Sequence, residues 1–347
     1  MLKKMNKNNQ PKYRAHAIAL YSGGLDSILA ILLMLRQNIK VTALYFVHYF
    51  GKVADPKNPD KSTPYNIAQK FGFKLEVVHL GQKFIDIVLE PQYGRGAHMN
   101  PCVDCKIMML REAKTYMEEI GADFVITGEV IGQRPFSQLK NQMNLVLRKS
   151  GLNDKLLRPL CAKHLPPTEP ELNGLVDREQ LLDIKGRGRK QQIRLAGEFG
   201  LTDFPTPAGG CLLTDKGFSN RLKDLIEYHR NFTPNDIELL KIGRHFRIDN
   251  QTRIIVGRNE KENLILQKLA QPHHFLCDAP DIASPLSVLI GPASETNFNT
   301  VAGLTIRYSS ARNKAAIKVV ISLNGNLVRE LTVAPASSFD YNLKAII

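Results

Sequence analysis

The first half of the chain alternates short apolar runs, rich in β-branched residues, with longer amphipathic runs. The apolar runs lie at residues 15–21, 40–47, 74–79 and 123–127, and the amphipathic runs lie at residues 25–37, 63–71, 103–120 and 136–149. Buried strands that alternate with helices form parallel sheets covered on both faces. This order predicts an α/β fold with a doubly wound parallel sheet, whose site lies beyond the carboxyl ends of the strands.

Two later changes of pattern divide the rest of the chain. Residues 156–215 contain many prolines and glycines around one basic run near 188–199, which indicates functional loops attached to the sheet domain. Short strands are then predicted at residues 246–249, 253–257, 287–290, 317–323 and 327–332, with helices at 260–269 and 299–312. We therefore expect a flexible basic tail at residues 1–14, the sheet domain at 15–235 and a smaller α+β domain at 236–347.

The composition adds charge and cysteine content to this outline. A net charge of +14 and a pI of about 9.5 favour a polyanionic partner, nucleic acid first. Five cysteines in a chain without a membrane-length apolar run indicate metal or redox chemistry rather than a disulfide framework. We expect a cytoplasmic protein with no membrane partner.

Residues 22–27, with the sequence Ser-Gly-Gly-Leu-Asp-Ser, lie directly between the first predicted strand and the first predicted helix. The glycines let the backbone turn sharply, and the loop then presents N–H groups and hydroxyls at a helix N-terminus, which is an anion site. It is not a Walker A loop, because the lysine of that motif is missing. Asp26 would repel bound phosphates unless a divalent cation lies between them, so it indicates Mg²⁺.

This loop resembles the PP-loop of ATP pyrophosphatases, which cleave ATP between the α- and β-phosphates. The resemblance implies an adenine-nucleotide α-hydrolase-like fold that uses ATP with Mg²⁺. It also implies that the pyrophosphate and the metal are held by the loop residues Ser22, Gly23, Gly24, Leu25, Asp26 and Ser27. Phe46, at the end of the second predicted strand, would then lie near the adenine.

Three cysteines supply the sulfur chemistry that the RNA-thiolating branch of this family needs. Cys102 and Cys105 form a C-x-x-C at the start of a predicted helix, and a helix N-terminus lowers the pKa of a thiol. Their motif, Asn-Pro-Cys-Val-Asp-Cys, resembles the cysteine motif of tRNA 2-thiouridylases. Cys211 follows the Pro-Ala-Gly-Gly segment at residues 207–210, a flexible loop able to fold over the site.

A further stretch, residues 127–138, resembles the corresponding segment of 4-thiouridine synthetase. This resemblance implies that Thr127 and Gly128 lie near the nucleotide. The whole region from about residue 15 to residue 225 resembles the thiouridine-synthase-like branch of the PP-loop family.

Four roles for the cysteines stay open. Cys102, Cys105 and Cys211 together can hold a 4Fe-4S cluster through three irons, with sulfide on the fourth. In a second mechanism, Cys102 or Cys105 carries a persulfide and Cys211 resolves it as a disulfide. A structural zinc with a nearby histidine and a purely structural C-x-x-C are the other two. Cys161 and Cys277 lie in apolar contexts, which predicts core positions.

The resulting hypothesis is an ATP-dependent enzyme that thiolates a tRNA uridine. A uracil carbonyl oxygen attacks the α-phosphate, pyrophosphate leaves, and sulfur from an unidentified donor then displaces AMP, with Mg²⁺ and the loop N–H groups neutralising charge. Two alternatives remain, a PP-loop amide ligase and an RNA-binding protein with a degenerate nucleotide site.

Basic segments predict where RNA binds. Residues 185–190, with the sequence Lys-Gly-Arg-Gly-Arg-Lys, open a predicted helix, where positive charge opposes the helix dipole unless phosphates compensate it. Two short motifs within residues 244–333 resemble the RNA-binding module of NFACT proteins. That resemblance implies RNA docking, with Arg258 and Arg312 as candidates for phosphate contacts. A packing or oligomerisation domain is the alternative.

Overall fold

The computed structural model describes residues 13–51, 64–202, 204, 211–314, 316–336 and 344–346. Of the predicted N-terminal tail, only Tyr13 and Arg14 fall within these ranges, and the predicted loop at 207–210 lies outside them. The chain divides into two compact units, Met1–Gly210 and Cys211–Ile347. None of the helices in the described ranges combines the length and the apolar character needed to cross a membrane.

The first unit is built on a sheet whose five described strands are all parallel. The strands are β1 (His16–Tyr21), β2 (Lys40–Val47), β3 (Lys74–His79), β4 (Phe124–Thr127) and β5 (Leu156–Leu157), in the order β3-β2-β1-β4-β5. The helices are α1 (Leu25–Arg36), α2 (Pro64–Phe71), α3 (Gly81–Leu89), α4 (Cys102–Glu119), α5 (Lys140–Ser150), α6 (Glu169–Leu172) and α7 (Lys190–Glu198).

Helices cover both faces of this sheet. Successive residues of a strand point to opposite faces. Ala17, Ala19 and Tyr21 of β1 pack in one cluster with α1 and α7. Ile18 and Leu20 pack in another cluster with α4 and α5. The predicted doubly wound α/β fold is therefore confirmed.

The second unit contains an antiparallel sheet of seven strands within the described residues. They are β6 (Arg244–Arg247), β7 (Arg253–Val256), β8 (Phe275–Asp278), β9 (Ser287–Ile290), β10 (Ile317–Leu323), β11 (Asn326–Val333) and β12 (Lys344–Ala345), in the order β11-β10-β8-β9-β7-β6-β12. The helices are α8 (Lys216–Tyr228), α9 (Pro234–Leu240), α10 (Glu260–Leu269) and α11 (Glu295–Arg307). Side chains of α11 pack on one face of the sheet, and α9 and α10 contribute to a second cluster on the other.

Two ion pairs explain why the units divide before residue 235. Asp224 of α8 pairs with Arg247 of β6, and both side chains are largely buried. Asp236 of α9 likewise pairs with Arg253 of β7. A buried charge that loses its partner is costly, so these pairs hold α8 and α9 to the second sheet. The contacts accordingly place the division at residues 210 and 211, ahead of the predicted limit at 235.

Candidate active site

The phosphate loop turns between β1 and α1 as its glycines require. Gly23 has a φ of +72°, a conformation that glycine adopts without strain, and the extended Gly24 precedes the first helical residue. No side chain among the described residues caps this helix end. The Ser27 hydroxyl donates to the Gly24 carbonyl at 2.8 Å and accepts from the Ser22 N–H at 3.3 Å, which fixes the turn. The uncapped N–H groups form the kind of site that binds an anion.

Asp26 lies in the first turn of α1 with its two carboxylate oxygens in different surroundings. Oδ2 accepts hydrogen bonds from Gln133 Nε2 at 2.6 Å and Arg189 Nη2 at 3.1 Å. Oδ1 is buried and has no hydrogen-bond partner among the described residues. A buried oxygen without a partner calls for a ligand, and carboxylate oxygens are what Mg²⁺ takes from a protein. The residues present therefore fit the predicted metal.

Gly128 follows β4 and lies directly against the phosphate loop. A Cβ atom at this position would come within 2.5 Å of the Asp26 carbonyl group and of the Ser27 nitrogen, a distance that only glycine permits. Because β1 and β4 are neighbours in the sheet and the chain order reverses there, the segments after them border the crevice where such folds bind ligands. Thr127, the other residue predicted near the nucleotide, is buried and donates to Glu129 Oε2 at 3.0 Å.

Glu129 is a buried charged residue that the sequence analysis did not single out. Its Oε2 accepts from Arg158 Nε at 3.1 Å, and Lys106 Nζ lies 4.0 Å from its Oε1. Burial alone would raise the pKa of Glu129, but Lys106 and Arg158 outweigh it, so that the net pKa lies below the ordinary value. Glu129 follows Thr127 and Gly128 within the stretch that resembles 4-thiouridine synthetase, and this position in the sequence could have identified it as a site residue.

Cys102 and Cys105 stand in the first turn of α4, and both side chains are half-buried. Asp104 between them is buried and accepts the backbone N–H groups of Gln92 and Tyr93 at 2.9 and 3.1 Å. These bonds anchor the cysteine turn to the segment that precedes it. The role of both thiols in the site stays a prediction.

The expected lowering of the thiol pKa is wrong for Cys102. Burial raises the pKa of this thiol, and the opposing charges of Arg134 and Lys106 do not overcome it. A helix N-terminus stabilises a thiolate only when the surroundings do not desolvate it more strongly.

Cys211 begins the second unit and is half-buried. Its carbonyl accepts from the Thr214 hydroxyl at 2.7 Å, in a short turn that leads into α8. Within the described ranges, no three histidine, cysteine, aspartate or glutamate side chains gather closely enough to hold a metal ion. The joint role of Cys102, Cys105 and Cys211 as metal ligands stays a prediction.

The two remaining cysteines are core residues, as predicted. Cys161 and Cys277 both have 0% exposed surface. Burial raises the pKa of Cys161 to about 11 and that of Cys277 to about 12. Neither thiol is accessible to a sulfur donor or to a substrate, so neither is suited to carry sulfur.

Phe46 is half-buried, near the carboxyl end of β2, on the face that α4 covers. It packs at the margin of the same apolar cluster as Val78, Tyr93 and Phe136. Its predicted place beside the adenine stays a prediction.

The basic segment at 185–190 lies against the segment that follows β4. The Gly186 N–H donates to the Ile131 carbonyl at 2.7 Å, and Lys185 forms a parallel bridge with Ile131. Arg189, assigned to RNA from the sequence, pairs with Asp26 instead, whereas Arg187 is exposed. Gln133 and Arg189 are thus site residues that the sequence analysis did not connect with the phosphate loop.

In the second unit, the two arginines predicted to contact phosphates differ in their surroundings. Arg258 is 45% exposed, donates to the Gly243 carbonyl at 2.7 Å and lies 3.6 Å from Glu262. Arg312 lies exposed after α11. Both side chains therefore present charge at the surface, Arg258 from a fixed position.

The phosphate loop lies between the first strand and the first helix of a parallel sheet, as the resemblance to PP-loop enzymes predicts. Residues 13–164 match the family described as thiamine biosynthesis protein (ThiI), and residues 243–342 match the family described as NFACT protein RNA binding domain. Both predicted resemblances are confirmed: the first region is similar to the ThiI family and the second to the NFACT RNA-binding family.

Individual relatives agree with these matches. The chain is 29% identical over 176 residues to a probable tRNA sulfurtransferase of Thermococcus kodakarensis, covering 48% of this chain but only 39% of that protein. It is 23% identical over 318 residues to the tRNA-specific 2-thiouridylase MnmA of Marinobacter nauticus, covering 85% of this chain and 80% of that protein.

Among the solved structures similar to this chain is the U34-tRNA thiolase NcsA from Methanococcus maripaludis with its 4Fe-4S cluster, at 17% identity and a TM-score of 0.32. The similarity covers 66% of this chain and 71% of that one.

Proposed function

We propose that this protein is an ATP-dependent sulfurtransferase that thiolates a uridine of tRNA in the cytoplasm. The observation that carries the proposal is that two consecutive residues link the phosphate loop to the cysteine turn. Gln133 donates to Asp26 at 2.6 Å, and the charge of the adjacent Arg134 acts on the Cys102 thiol. One short segment after β4 therefore contacts the phosphate loop through Gln133 and carries, on Arg134, a charge that lowers the pKa of the Cys102 thiol against the effect of burial.

In the activation step, the loop binds the pyrophosphate part of ATP. Asp26 would hold Mg²⁺, which would supply positive charge that neutralises the phosphates. A uracil carbonyl oxygen attacks the α-phosphorus, and the bond to pyrophosphate breaks as the new P–O bond forms. The N–H groups at the start of α1 take up the charge that develops on the leaving group.

In the transfer step, Cys102 and Cys105 deliver sulfur to the activated carbon. In the persulfide route, the terminal sulfur attacks this carbon and AMP leaves. A second thiol then breaks the S–S bond, and the disulfide that forms must be reduced by an external thiol before the next turnover. In the cluster route, Cys102, Cys105 and Cys211 are the ligands. Two thiols in one helical turn suit either route.

The second unit docks the RNA in this proposal. The formal charge of +14 favours a polyanionic partner, and the NFACT-type region carries exposed arginines. Phosphate contacts position a substrate without reading its bases. The chemistry and the docking thus belong to different units.

Nucleoside analysis tests the activity directly. We expect tRNA from cells that lack the gene to lose one thionucleoside, detected by mass spectrometry after complete digestion. Complementation with the wild-type gene restores it, and complementation with a gene in which Cys102, Cys105 and Cys211 are all replaced does not. An unchanged thionucleoside profile on deletion contradicts thiolation. ATP-dependent activity that survives in the triple variant would favour the amide ligase.

Salt titrations test RNA docking by the second unit. Each neutralised phosphate adds about 0.9 to the slope of log affinity against log salt concentration on a duplex, and about 0.7 on a single strand. We expect Arg258→Ala and Arg312→Ala each to weaken tRNA binding and to reduce this slope by about one unit. The single variants suit this test better than removal of residues beyond 235, because that cut separates α8 and part of α9 from their sheet.

The matched control is Arg329→Ala. This arginine is 48% exposed, close to the value for Arg258, and pairs with Glu295 at 2.5 Å. It lies outside the motifs that suggested RNA contact, and we expect it to leave the slope unchanged. Equal slopes for the wild type and both test variants would remove RNA docking from the second unit.

A further inference from the structure

Arg189 brings a positive charge to the phosphate loop from a distant part of the chain. It is the residue immediately before α7, and its Nη2 lies 3.1 Å from Asp26 Oδ2. The side chains of Arg189 and Asp26 are only 23% and 15% exposed. A cation at a helix N-terminus opposes the helix dipole, so its position there needs a compensating anion. In this state, Asp26 is that anion.

A chain of hydrogen bonds holds the start of α7 in this place. Gln192 is fully buried, and its Nε2 donates to Gln133 Oε1 at 3.1 Å. Gln133 in turn donates to Asp26 Oδ2 at 2.6 Å. The Gly186 N–H, bonded to the Ile131 carbonyl at 2.7 Å, fixes the approach from the other side. Arg189 therefore stays within reach of the loop even when its partner changes.

The ion pair weakens if Asp26 binds Mg²⁺ through the unpartnered Oδ1, because metal and guanidinium then share one negative charge from two different oxygens. The partly buried guanidinium is left with only part of the compensating charge that it has in the absence of the metal. The phosphates of a bound nucleotide lie at the same loop, and a guanidinium fits phosphate oxygens with two parallel hydrogen bonds. The nucleotide thus offers Arg189 a new partner as the metal weakens the old ion pair.

We propose that Arg189 is a phosphate-binding residue of the ATP site, which exchanges the Asp26 carboxylate for phosphate oxygens when Mg·ATP binds. This proposal rests on the assignment of the loop as an ATP site. The proposal predicts that Arg189 has opposite effects on the affinity for the metal and on the affinity for the nucleotide. Without nucleotide, Arg189 competes with the metal for Asp26 and weakens metal binding. With nucleotide, it attracts the phosphates and strengthens binding.

Two equilibrium measurements on the full chain test this exchange. Mn²⁺ binding to the nucleotide-free protein is followed by electron paramagnetic resonance, and Mg·ATP binding is followed by calorimetry. We expect Arg189→Ala to tighten Mn²⁺ binding and to weaken Mg·ATP binding, each by about tenfold, within the usual range for coupled sites. Arg189→Lys keeps the charge without the paired donors and should recover part of the Mg·ATP affinity.

Arg194→Ala is the matched control. Arg194 lies on the same helix, is 84% exposed and pairs with Glu198 at 3.3 Å, away from the loop. Neither affinity should change in this variant. Circular dichroism melts of all three variants identify any that fail to fold, and Arg189→Met, which keeps the apolar stem, replaces Arg189→Ala if it does.

The outcomes separate this proposal from the one on which it rests. A wild-type protein that binds no Mg·ATP overturns the assignment of the loop. A wild-type protein that binds Mg·ATP while Arg189→Ala binds it equally well overturns only the role of Arg189. A variant that weakens Mn²⁺ and Mg·ATP binding together shows that Arg189 braces the loop, and this also overturns the exchange.

Discussion

Replacement of Asp26 by alanine is expected to reduce tRNA-dependent pyrophosphate release by two to three orders of magnitude, the loss typical for one preorganised charge-stabilising group. The carboxylate has one buried oxygen without a partner among the described residues, which is where we place the metal. Without it, the negative charge on the phosphates is not neutralised, and the leaving group is poorly stabilised. Pyrophosphate release, measured with a coupled assay, gives the result.

The same variant should keep its fold. Arg189 loses its ion pair while its side chain is only 23% exposed, so we expect a loss of stability of about 1–3 kcal/mol, which leaves the protein folded. Asp26→Asn keeps the size and one acceptor oxygen but removes the charge, and it should be nearly as inactive. Asp86→Ala, on the exposed side of α3, is the control with wild-type activity. Wild-type pyrophosphate release from Asp26→Ala would remove the loop from the mechanism.

Replacement of Cys102 or Cys105 by alanine is expected to reduce thionucleoside formation to background while Mg·ATP binding is retained. Both thiols lie in the first turn of α4, and the nucleotide is assigned to the loop between β1 and α1. Sulfur transfer and nucleotide binding therefore depend on different residues. Mass spectrometry of the tRNA product and calorimetry with Mg·ATP measure the two effects. A variant that still thiolates tRNA at the wild-type rate would exclude that cysteine as a sulfur carrier.

The colour of the protein distinguishes the two sulfur routes. If a cluster is present, protein purified without oxygen is brown, and its visible absorption disappears in Cys102→Ala, Cys105→Ala and Cys211→Ala alike. If the persulfide route holds, the protein stays colourless and iron-free after anaerobic reconstitution, and alkylation traps an extra sulfur on Cys102 or Cys105. Cys161→Ala and Cys277→Ala are the controls, because both thiols are fully buried. Loss of colour in either control would show that the wrong three cysteines were chosen.

Much of the fold followed from local pattern. Strands β2, β3 and β9 and helix α10 begin and end at the predicted residues, because their apolar runs are bounded by clear polar or turn residues. Helix α11 was predicted at 299–312 but spans Glu295–Arg307. Its beginning is set by Ser294, whose side chain accepts the Asn297 N–H, and the prediction followed the apolar residues and missed this cap.

Most of the elements that local pattern missed are short, although helix α8, with 13 residues, was missed as well. Strand β8 has four residues and follows directly on the His273-His274 pair, so no alternation could be counted. Helix α3 was also missed. Its amphipathic run of nine residues after Leu80 is too short to stand out from the surrounding loop.

The site divides in the same way between local and distant information. The phosphate loop and the C-x-x-C are contiguous motifs, so their residues could be named from the sequence. Gln133 and Arg189 bind Asp26 from 107 and 163 residues further along the chain. Such pairs depend on the order of the strands in the sheet and on the path of the connecting loops. A local hydrophobic pattern contains no information about either. The charge of Arg189 was visible in the sequence, but its partner was not.

The two core cysteines give each unit its own reporter of unfolding. Cys161 is buried in the first unit and Cys277 in the second, so a thiol reagent reaches each of them only when its surroundings open. In a protein whose other three cysteines are replaced, the labelling rates of these two thiols follow the opening of the first unit and of the second unit separately. The native sequence thus already contains the probes needed to learn whether nucleotide protects one half of the molecule and RNA the other.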